Sequence, residues 1–556
     1  MLKQSKASEP SIGAPIVSAV AKRSNASAVR MKGQRVGNLL ERRAPSASFE
    51  WTALETELKL SVATEDLDVL KNHPIFRSRK SSAKGELVSI YFDTKDRVLN
   101  RHGLSFRLRR KGEQLRQTIK GMHRGVLERS ERETPFICDG DDLPGSIDSF
   151  LQHLDRDLPT ALKPIFKTRI DRESYEIEGI EVCLDKGEII AGRRSSPVAE
   201  IELELKKGDR RELFALARKI SRIVPAEMSV KSKSERGYDL IDRARVRAVM
   251  ARDPILPPSA DVYEAVQIIC GECLHHLISN ISGVRAHEAE ALHQARVALR
   301  RFDAALRLFG KALSERKASK VSGELKWIGD ELATARELDV FIADILVPLR
   351  SEHPKDSSVA EVHRSCSRQR EQEYARATAA LDSQRFRAFL IDVAEWIEVE
   401  RGQRKAGLRL KREPSVKALA SKALSKIWSK MKAGRGIDEL DLHNLHKLRL
   451  RAKRIRYMTE FTRGLYEAHP RRIESVLRVL GKLQSALGTL NDIASGTAIL
   501  VQGPAERLTG HRNGKLRITS GLAAELVRGL ERRKSRKLKK AARAFDRLEE
   551  IRPFWT

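Results

Sequence analysis

Two periodicities divide the chain. Between about residues 50 and 245, apolar and charged positions alternate at period 2, the spacing of strands with one buried face. In Leu54-Glu55-Thr56-Glu57-Leu58-Lys59-Leu60, Glu55, Glu57 and Lys59 share one face, and Leu54, Leu58 and Leu60 the other. Glu200, Glu202 and Glu204 alternate in the same way with Ile201, Leu203 and Leu205. Phe106-Arg107-Leu108-Arg109 and Gln117-Thr118-Ile119-Lys120 place Arg107, Arg109 and Lys120 on a charged face. Strands are expected near 54–60, 87–92, 104–110, 114–120, 126–134, 166–169, 173–178, 180–185 and 199–206, with helices near 66–72, 145–154 and 209–223. Lys111-Gly112-Glu113 and Asp185-Lys186-Gly187-Glu188 read as turns.

From Val262 onward the pattern becomes helical, with few strand runs and little Gly or Pro inside the long segments. Asp253-Pro254-Ile255-Leu256-Pro257-Pro258 marks the change, and residues 251–259 are expected as a linker between domains 50–250 and 260–556. The helical part repeats itself, at about 260–400 and 415–550. His293-x-x-Arg296-x-x-x-Arg300-Arg301 recurs as His446-x-x-Arg449-x-x-x-Lys453-Arg454. Leu332-Ala333-Thr334-Ala335-Arg336-Glu337-Leu338-Asp339 follows the first copy at nearly the offset at which Leu487-Gly488-Thr489-Leu490-Asn491-Asp492 follows the second.

These patterns have chemical consequences. A single strand with one charged face needs no explanation beyond solubility, but several strands carrying acids and bases do. Closing them into a barrel gathers both signs in one lumen. Unpaired charges there would cost several kcal/mol per ion, so the lumen must hold water and a charged ligand. Carboxylates suit hard divalent cations and guanidinium groups suit phosphate, which together imply a metal-bound polyphosphate. In the helical part, positions i, i+3 and i+7 share a helix face. His293, Arg296 and Arg300 therefore form one cationic stripe, and His446, Arg449 and Lys453 its twin.

Glu55-x-Glu57-x-Lys59 resembles the ExExK signature that opens the CYTH domain, the fold of triphosphate tunnel metalloenzymes. The likeness continues through Tyr91-Phe92-Asp93-Thr94, Gly103–Arg109, Gln117–Lys120, Arg169, Glu181–Asp185, Ala199–Glu204 and Ser232–Gly237. It implies an α+β antiparallel barrel that hydrolyses a phosphoanhydride with Mg2+ or Mn2+. Under that reading Glu55, Glu57, Glu200 and Glu202 hold the metal, with Asp185 and Glu204 as further candidates. Lys59, Arg107, Arg109, Lys120, Arg169 and Lys233 grip the phosphates, and Glu55, Glu57 and Lys59 are the catalytic set. The partner is inorganic triphosphate. Nucleoside or thiamine triphosphatase and adenylyl cyclase activities, which occur in the same family, are the alternatives.

The helical half resembles a CHAD domain, on Leu292–Arg301, Ala335–Val340 and their second-half counterparts. That resemblance implies an all-α domain of two pseudo-symmetric helical bundles. It implies binding of inorganic polyphosphate by His293, Arg296, Arg300, Arg301, Arg336, His446, Arg449, Lys453 and Arg454. A non-catalytic protein associated with polyphosphate granules is the reading from another functional class.

Charge sharpens the picture. The net charge of +31 is uneven: residues 251–556 hold 58 basic against 38 acidic residues, whereas 51–250 hold 39 against 34. The balanced part suits a site using both signs, and the polycationic part predicts an anionic partner. No Walker A motif, helix-turn-helix or zinc-finger pattern is present, and basic residues are not interleaved with aromatics, so no specific nucleic-acid partner is expected. Five unevenly spaced cysteines suit a reducing, cytoplasmic setting, and no apolar run reaches a membrane span. Cys270-x-x-Cys273 followed by His275-His276 has no second cysteine pair at ligand spacing. Residues 1–49, basic and rich in Ser and Ala, are expected as a disordered extension.

Overall fold

The computed structural model describes residues 53–79, 81–111, 114–124, 127–135, 162–242, 247–310, 313, 315–405, 415–432, 437, 440–502 and 520–556. The expected N-terminal extension at 1–49 and helix at 145–154 lie outside them. The chain divides into two compact units between Ala244 and Arg245.

Unit 1 comprises β1 (Ala53–Ser61), α1 (Thr64–Asn72), α2 (Pro74–Arg77), β2 (Ala83–Asp93), α3 (Val98–Arg101), β3 (Ser105–Lys111), β4 (Gln114–Arg124), β5 (Glu128–Pro135), β6 (Lys163–Ile177), β7 (Ile180–Ala191), β8 (Arg194–Leu205), α4 (Arg210–Ile223), β9 (Glu227–Met228) and α5 (Lys233–Ile241). The strands pair antiparallel in the order β5-β4-β3-β2-β6-β7-β8-β1. The first half of β1 then pairs with β5, through Ala53↔Glu131 to Thr56↔Glu128, so the sheet closes on itself. Closure removes the exposed edges and creates an inside.

The outward residues of β1, β7 and β8, among them Leu58, Leu60, Val182, Leu184, Ile201 and Leu203, are buried. Helices α1 and α4 pack on that side. Helix α4 begins with Asp209, whose side chain accepts from Arg211 N while Glu212 closes a capping box. Tyr91, Phe166, Ile170, Ile189, Val198 and Tyr238 form an apolar cluster in which Tyr91 stacks on Phe166 at 4.5 Å. Helix α5 contributes Tyr238, whose hydroxyl donates to Asp93, a buried carboxylate that also accepts from the amides of Thr94, Leu99 and Asn100.

Two expectations fail locally. The runs 166–169 and 173–178 are one strand, β6, and Asp185-Lys186-Gly187-Glu188 is not a turn but the middle of β7. The turn lies at Glu178-Gly179, where both φ angles are positive, as a two-residue hairpin requires. Gly187 serves close approach instead: a Cβ there would fall 2.0 Å from the carbonyl oxygen of Arg169.

Unit 2 is helical: α6 (Val262–Arg285), α7 (Ala289–Phe309), α8 (Glu315–Glu331), α9 (Ala333–Phe341), a π-helical segment (Ile342–Leu346), α10 (Val347–Glu352), α11 (Ser357–Asp382), α12 (Gln384–Lys405), α13 (Val416–Lys432), α14 (Leu442–Thr462), α15 (Pro470–Gln502) and α16 (Ser520–Glu550). Residues 247–257 carry no helix or strand, but they are strapped to this unit. The carbonyl of Val249 accepts from Asn280 and contacts His276, and Arg301 donates to the carbonyl of Arg252. Trp396 and Trp428 are core residues, and Trp555 packs edge-on against Trp428 while its Nε1 donates to Ser425.

Two of the barrel glycines, Gly187 and Gly85, give a direct test of this packing. Gly187→Ala should lower stability to urea by about 1–3 kcal/mol through backbone displacement. Gly85→Ala, in the same barrel with open space around it, should change stability by less than about 0.5 kcal/mol.

Candidate functional sites in the barrel and the helical unit

The barrel's interior is a cavity of about 140 Å3, far more than the ~10–15 Å3 that one water needs. All eight barrel strands reach it: Glu55, Glu57 and Lys59 from β1, Tyr91 from β2, and Ser105, Arg107 and Arg109 from β3. Lys120 comes from β4, Glu131 and Glu133 from β5, Arg172 from β6, Cys183 from β7, and Glu202 and Glu204 from β8. The first residues of α5 add Ser232, Lys233 and Ser234. Among the described residues six carboxylates thus face six cations, the balance expected of buried charge.

The charges are sorted into two groups. In the first, Asp185, Glu200 and Glu202 bring carboxylate oxygens within 4.8 Å of one another. Among the described residues this is the only set of His, Cys, Asp or Glu side chains close enough to share a metal ion. Arg172 grips Asp185 through Nε at 2.7 Å and Nη2 at 2.6 Å, and it also bonds Glu202. Lys233 Nζ lies 2.8 Å from Asp185 and 2.9 Å from Glu202 and bonds Glu200. Lys59 Nζ sits 3.4 Å from Glu202 and 3.6 Å from Glu57. Glu57 Oε1 is shielded from solvent and has no hydrogen-bond partner. Burial pushes the Glu202 carboxyl up, but Lys233, Arg172 and Lys59 outweigh it and hold the group well below the usual range.

In the second group, Lys120 bonds both Glu55, at 3.1 Å, and Glu131. Arg107 approaches Glu131 at 4.0 Å. Burial and the hydrogen bond to Glu131 push the Glu55 carboxyl up to about 8. For Glu131 the same burial is outweighed by Glu55, Lys120 and Arg107, which hold it down at about 2. The two carboxyls therefore share one proton at neutral pH. Arg109 donates to Ser89 at 3.3 Å. Burial and the nearby Arg107 and Arg172 lower its guanidinium to about 10, so this wall of the lumen is short of negative charge.

The structure departs from the expected set at Arg169. That residue lies on the outer face of β6, 55% exposed, with Glu86 at 3.5 Å. Arg172 occupies the inward position that was expected of it. Glu204 lines the cavity but bonds Lys206 at 2.6 Å. Asp185 has no exposed side-chain surface, and its oxygens are engaged by Arg172 and Lys233. Sequence reasoning missed Arg172 because Ile170-Asp171-Arg172 fell between two expected strands, 166–169 and 173–178. It missed Glu131 and Glu133 although their alternation was visible in a strand that had been recognised.

In unit 2 the two cationic stripes converge. Arg300 of α7 lies near enough to Arg449 and Lys453 of α14 to act on both. Burial, Arg300 and Arg449 lower the Lys453 ammonium to about 6. Burial, Arg336 and Arg300 lower His293 to about 4. Burial and Arg300 lower Arg296 to about 10. Arg300 Nε and Arg449 Nε are shielded from solvent without a hydrogen-bond partner, a state that calls for an acceptor. Arg296 donates to Gly329 O, Arg336 donates to Ala289 O at 3.2 Å, and His446 contacts Asn491 at 3.2 Å. Arg301 and Arg454 do not join this cluster as expected. Arg301 is buried against Phe461 and paired with Glu460, and Arg454 lies 3.8 Å from Asp303. Cys270 and Cys273 are buried in the core face of α6.

Family models match the chain in both units: the CYTH domain over residues 53–238 and the CHAD domain over residues 268–501. The chain is a CYTH–CHAD protein. Its CYTH part is 31% identical over 160 residues to a protein of Haemophilus influenzae named inorganic triphosphatase, covering 27% of this chain and 45% of that one. The match thus spans less than half of that relative. An uncharacterized protein of Mycobacterium tuberculosis is 25% identical over 501 residues, 84% of this chain and 91% of the relative. The crystal structure of the CHAD domain from Ricinus communis is 23% identical, with a TM-score of 0.44, covering 54% of this chain and 96% of that one. Among the described residues no helix is long and apolar enough to cross a membrane.

The two arginines of β6 test the orientation of the CYTH lumen. Arg172→Ala removes three of the bonds that hold the buried Asp185 and Glu202, leaving them to Lys233 and Lys59, and should cost about 3 kcal/mol in chemical denaturation. Arg169→Ala removes an exposed pair and should cost less than about 1 kcal/mol. Similar losses in both variants would contradict the inward placement of Arg172.

Proposed function

We propose that the CYTH domain hydrolyses inorganic triphosphate with Mg2+ or Mn2+, and that the CHAD domain binds inorganic polyphosphate. The observation that carries the first half is the lumen in which, among the described residues, six carboxylates and six cations surround one cavity. Carboxylates alone would suit a cation, and arginines and lysines alone an anion; the combination suits a cation–polyphosphate complex. The Haemophilus influenzae relative's name supports this reading for the CYTH part. Tyr91 is the one aromatic residue among the described residues lining the cavity, and its ring is stacked on Phe166. This favours a bare phosphate chain over a nucleoside.

The donor set fits a hard divalent cation. Asp185, Glu200 and Glu202 offer oxygen ligands within 4.8 Å of one another; of these Glu202 lines the cavity, as do Glu57 and Glu204. Bound there, the cation supplies Lewis-acid polarisation and acidifies water. The chain's own groups do the rest. Arg107, Arg109 and Lys120 bind and orient the phosphates, and an anion beside Arg109 offsets the burial and the repulsion from Arg107 and Arg172 that hold its guanidinium below the usual range. Lys59 lies between Glu57 and Glu202 and offsets charge as the leaving phosphate forms. Glu55 holds a proton with Glu131 at the Lys120 end, where it can be passed to or taken from a phosphate oxygen.

For the CHAD domain the supporting observation is a cation cluster built from both repeats, with two shielded arginine Nε groups lacking partners. A linear polyanion supplies many acceptors at once, and counterion release makes such binding weaken with salt.

Purified protein should release phosphate from inorganic triphosphate in the presence of Mg2+ or Mn2+ and lose that activity on chelation. Glu57→Gln should lower kcat by about 10²-fold or more. Absence of metal-dependent phosphate release from triphosphate, ATP and long polyphosphate alike would remove the enzymatic reading.

The second half has a pH signature. Lys453, lowered to about 6 in the free protein, is driven back toward its ordinary value by a bound anion, so binding takes up a proton above about pH 6. Polyphosphate affinity should therefore be greatest at low pH and fall as pH rises toward 9. Lys453→Arg, which stays charged, should flatten the profile in calorimetric titrations. An unchanged pH profile in this variant would exclude Lys453 from the binding site.

A further inference from the structure

Lys233 sits at the centre of the carboxylates that would hold the metal. Its Nζ lies 2.8 Å from Asp185 Oδ2 and 2.9 Å from Glu202 Oε1 and bonds Glu200 Oε1. An ammonium has three N–H donors and no acceptor, so three carboxylates use all of them. The same three side chains form the set whose oxygens lie within 4.8 Å of one another, a space that cannot hold an ammonium and a divalent cation together.

The surrounding charges leave Lys233 as the group that must yield. Arg172 is tied to Asp185 by two parallel bonds and to Glu202 by a third. Lys59 stands at the edge, 3.4 Å from Glu202 and 4.0 Å from Glu200, and Arg236 is 3.6 Å from Glu200. Lys233 alone bonds all three carboxylates, and it does so through a flexible stem rooted in the first turn of α5.

We infer that Lys233 is an internal cation that competes with the divalent metal for Asp185, Glu200 and Glu202 and becomes available to phosphate only once the metal has displaced it. While its three donors are spent on carboxylates it has none for a phosphoryl oxygen. Its two roles, neutralising the acids and gripping the substrate, therefore exclude each other in time. Lys233 thereby couples occupancy of the cation site to phosphate binding and sets an order, metal before or together with triphosphate. This rests on the metal-dependent reading of the CYTH domain.

Titration of Mn2+ into the full-length protein without substrate provides the test. Lys233→Met and Lys233→Gln remove the competitor and should bind Mn2+ at least about tenfold more tightly than wild type, within the range typical of coupled sites. Their melting temperatures should fall without metal and rise more steeply with Mn2+ than that of wild type. If neither variant folds, acylation of wild-type lysines followed by mass spectrometry decides the matter, with Lys233 protected without Mg2+ and modified in its presence. Equal Mn2+ affinity in wild type and folded variants, or identical Lys233 labelling with and without Mg2+, would overturn the competition while leaving the metal site intact. Absence of Mn2+ binding in every protein would overturn both this inference and the metal-dependent reading.

Discussion

Among the described residues, twelve acidic and basic side chains face one another inside a closed barrel, and the rest of the CYTH domain is arranged to keep them there. A sheet of alternating apolar and charged positions has two ways to fold. Turning its apolar face inward would give an ordinary core with a charged surface. Here the apolar face turns outward under α1 and α4, and the charged face turns inward, which is tolerable only because opposite charges meet and water can enter. Pairing of β1 with β5 closes the barrel and so makes every inward side chain a neighbour of the others.

The two units handle charge differently. Inside the barrel, acids and bases neutralise each other, so a ligand must exchange partners with existing ion pairs. In the CHAD domain, cations from α7 and α14 depress one another, with Arg300 acting on both Arg449 and Lys453. The first arrangement suits selection of a small cation–anion complex. The second suits a polyanion that replaces repulsion with attraction along its length.

Much of this was legible in the sequence, because period-2 alternation and the recurrence of His293-x-x-Arg296-x-x-x-Arg300 as His446-x-x-Arg449-x-x-x-Lys453 are local signals. What was not legible depends on long-range register. Gly187 suggested a turn, yet it serves close packing of β7 on β6. The resemblance pointed to Arg169 as a phosphate ligand, but in the unbroken β6 the alternation turns Arg172 inward and leaves Arg169 exposed. Arg301, next to a stripe residue in sequence, proved to be a buried partner of Glu460. The meeting of the two stripes in one cluster could not be read from either copy alone.

The most direct measurement is anomalous diffraction from crystals of the full-length protein grown with Mn2+ and inorganic triphosphate under conditions that arrest turnover. The account predicts a manganese peak inside the barrel against Asp185, Glu200 and Glu202, with phosphate density between it and Arg107, Arg109 and Lys120. Manganese and phosphate found only outside the barrel, with the lumen's ion pairs undisturbed, would contradict it.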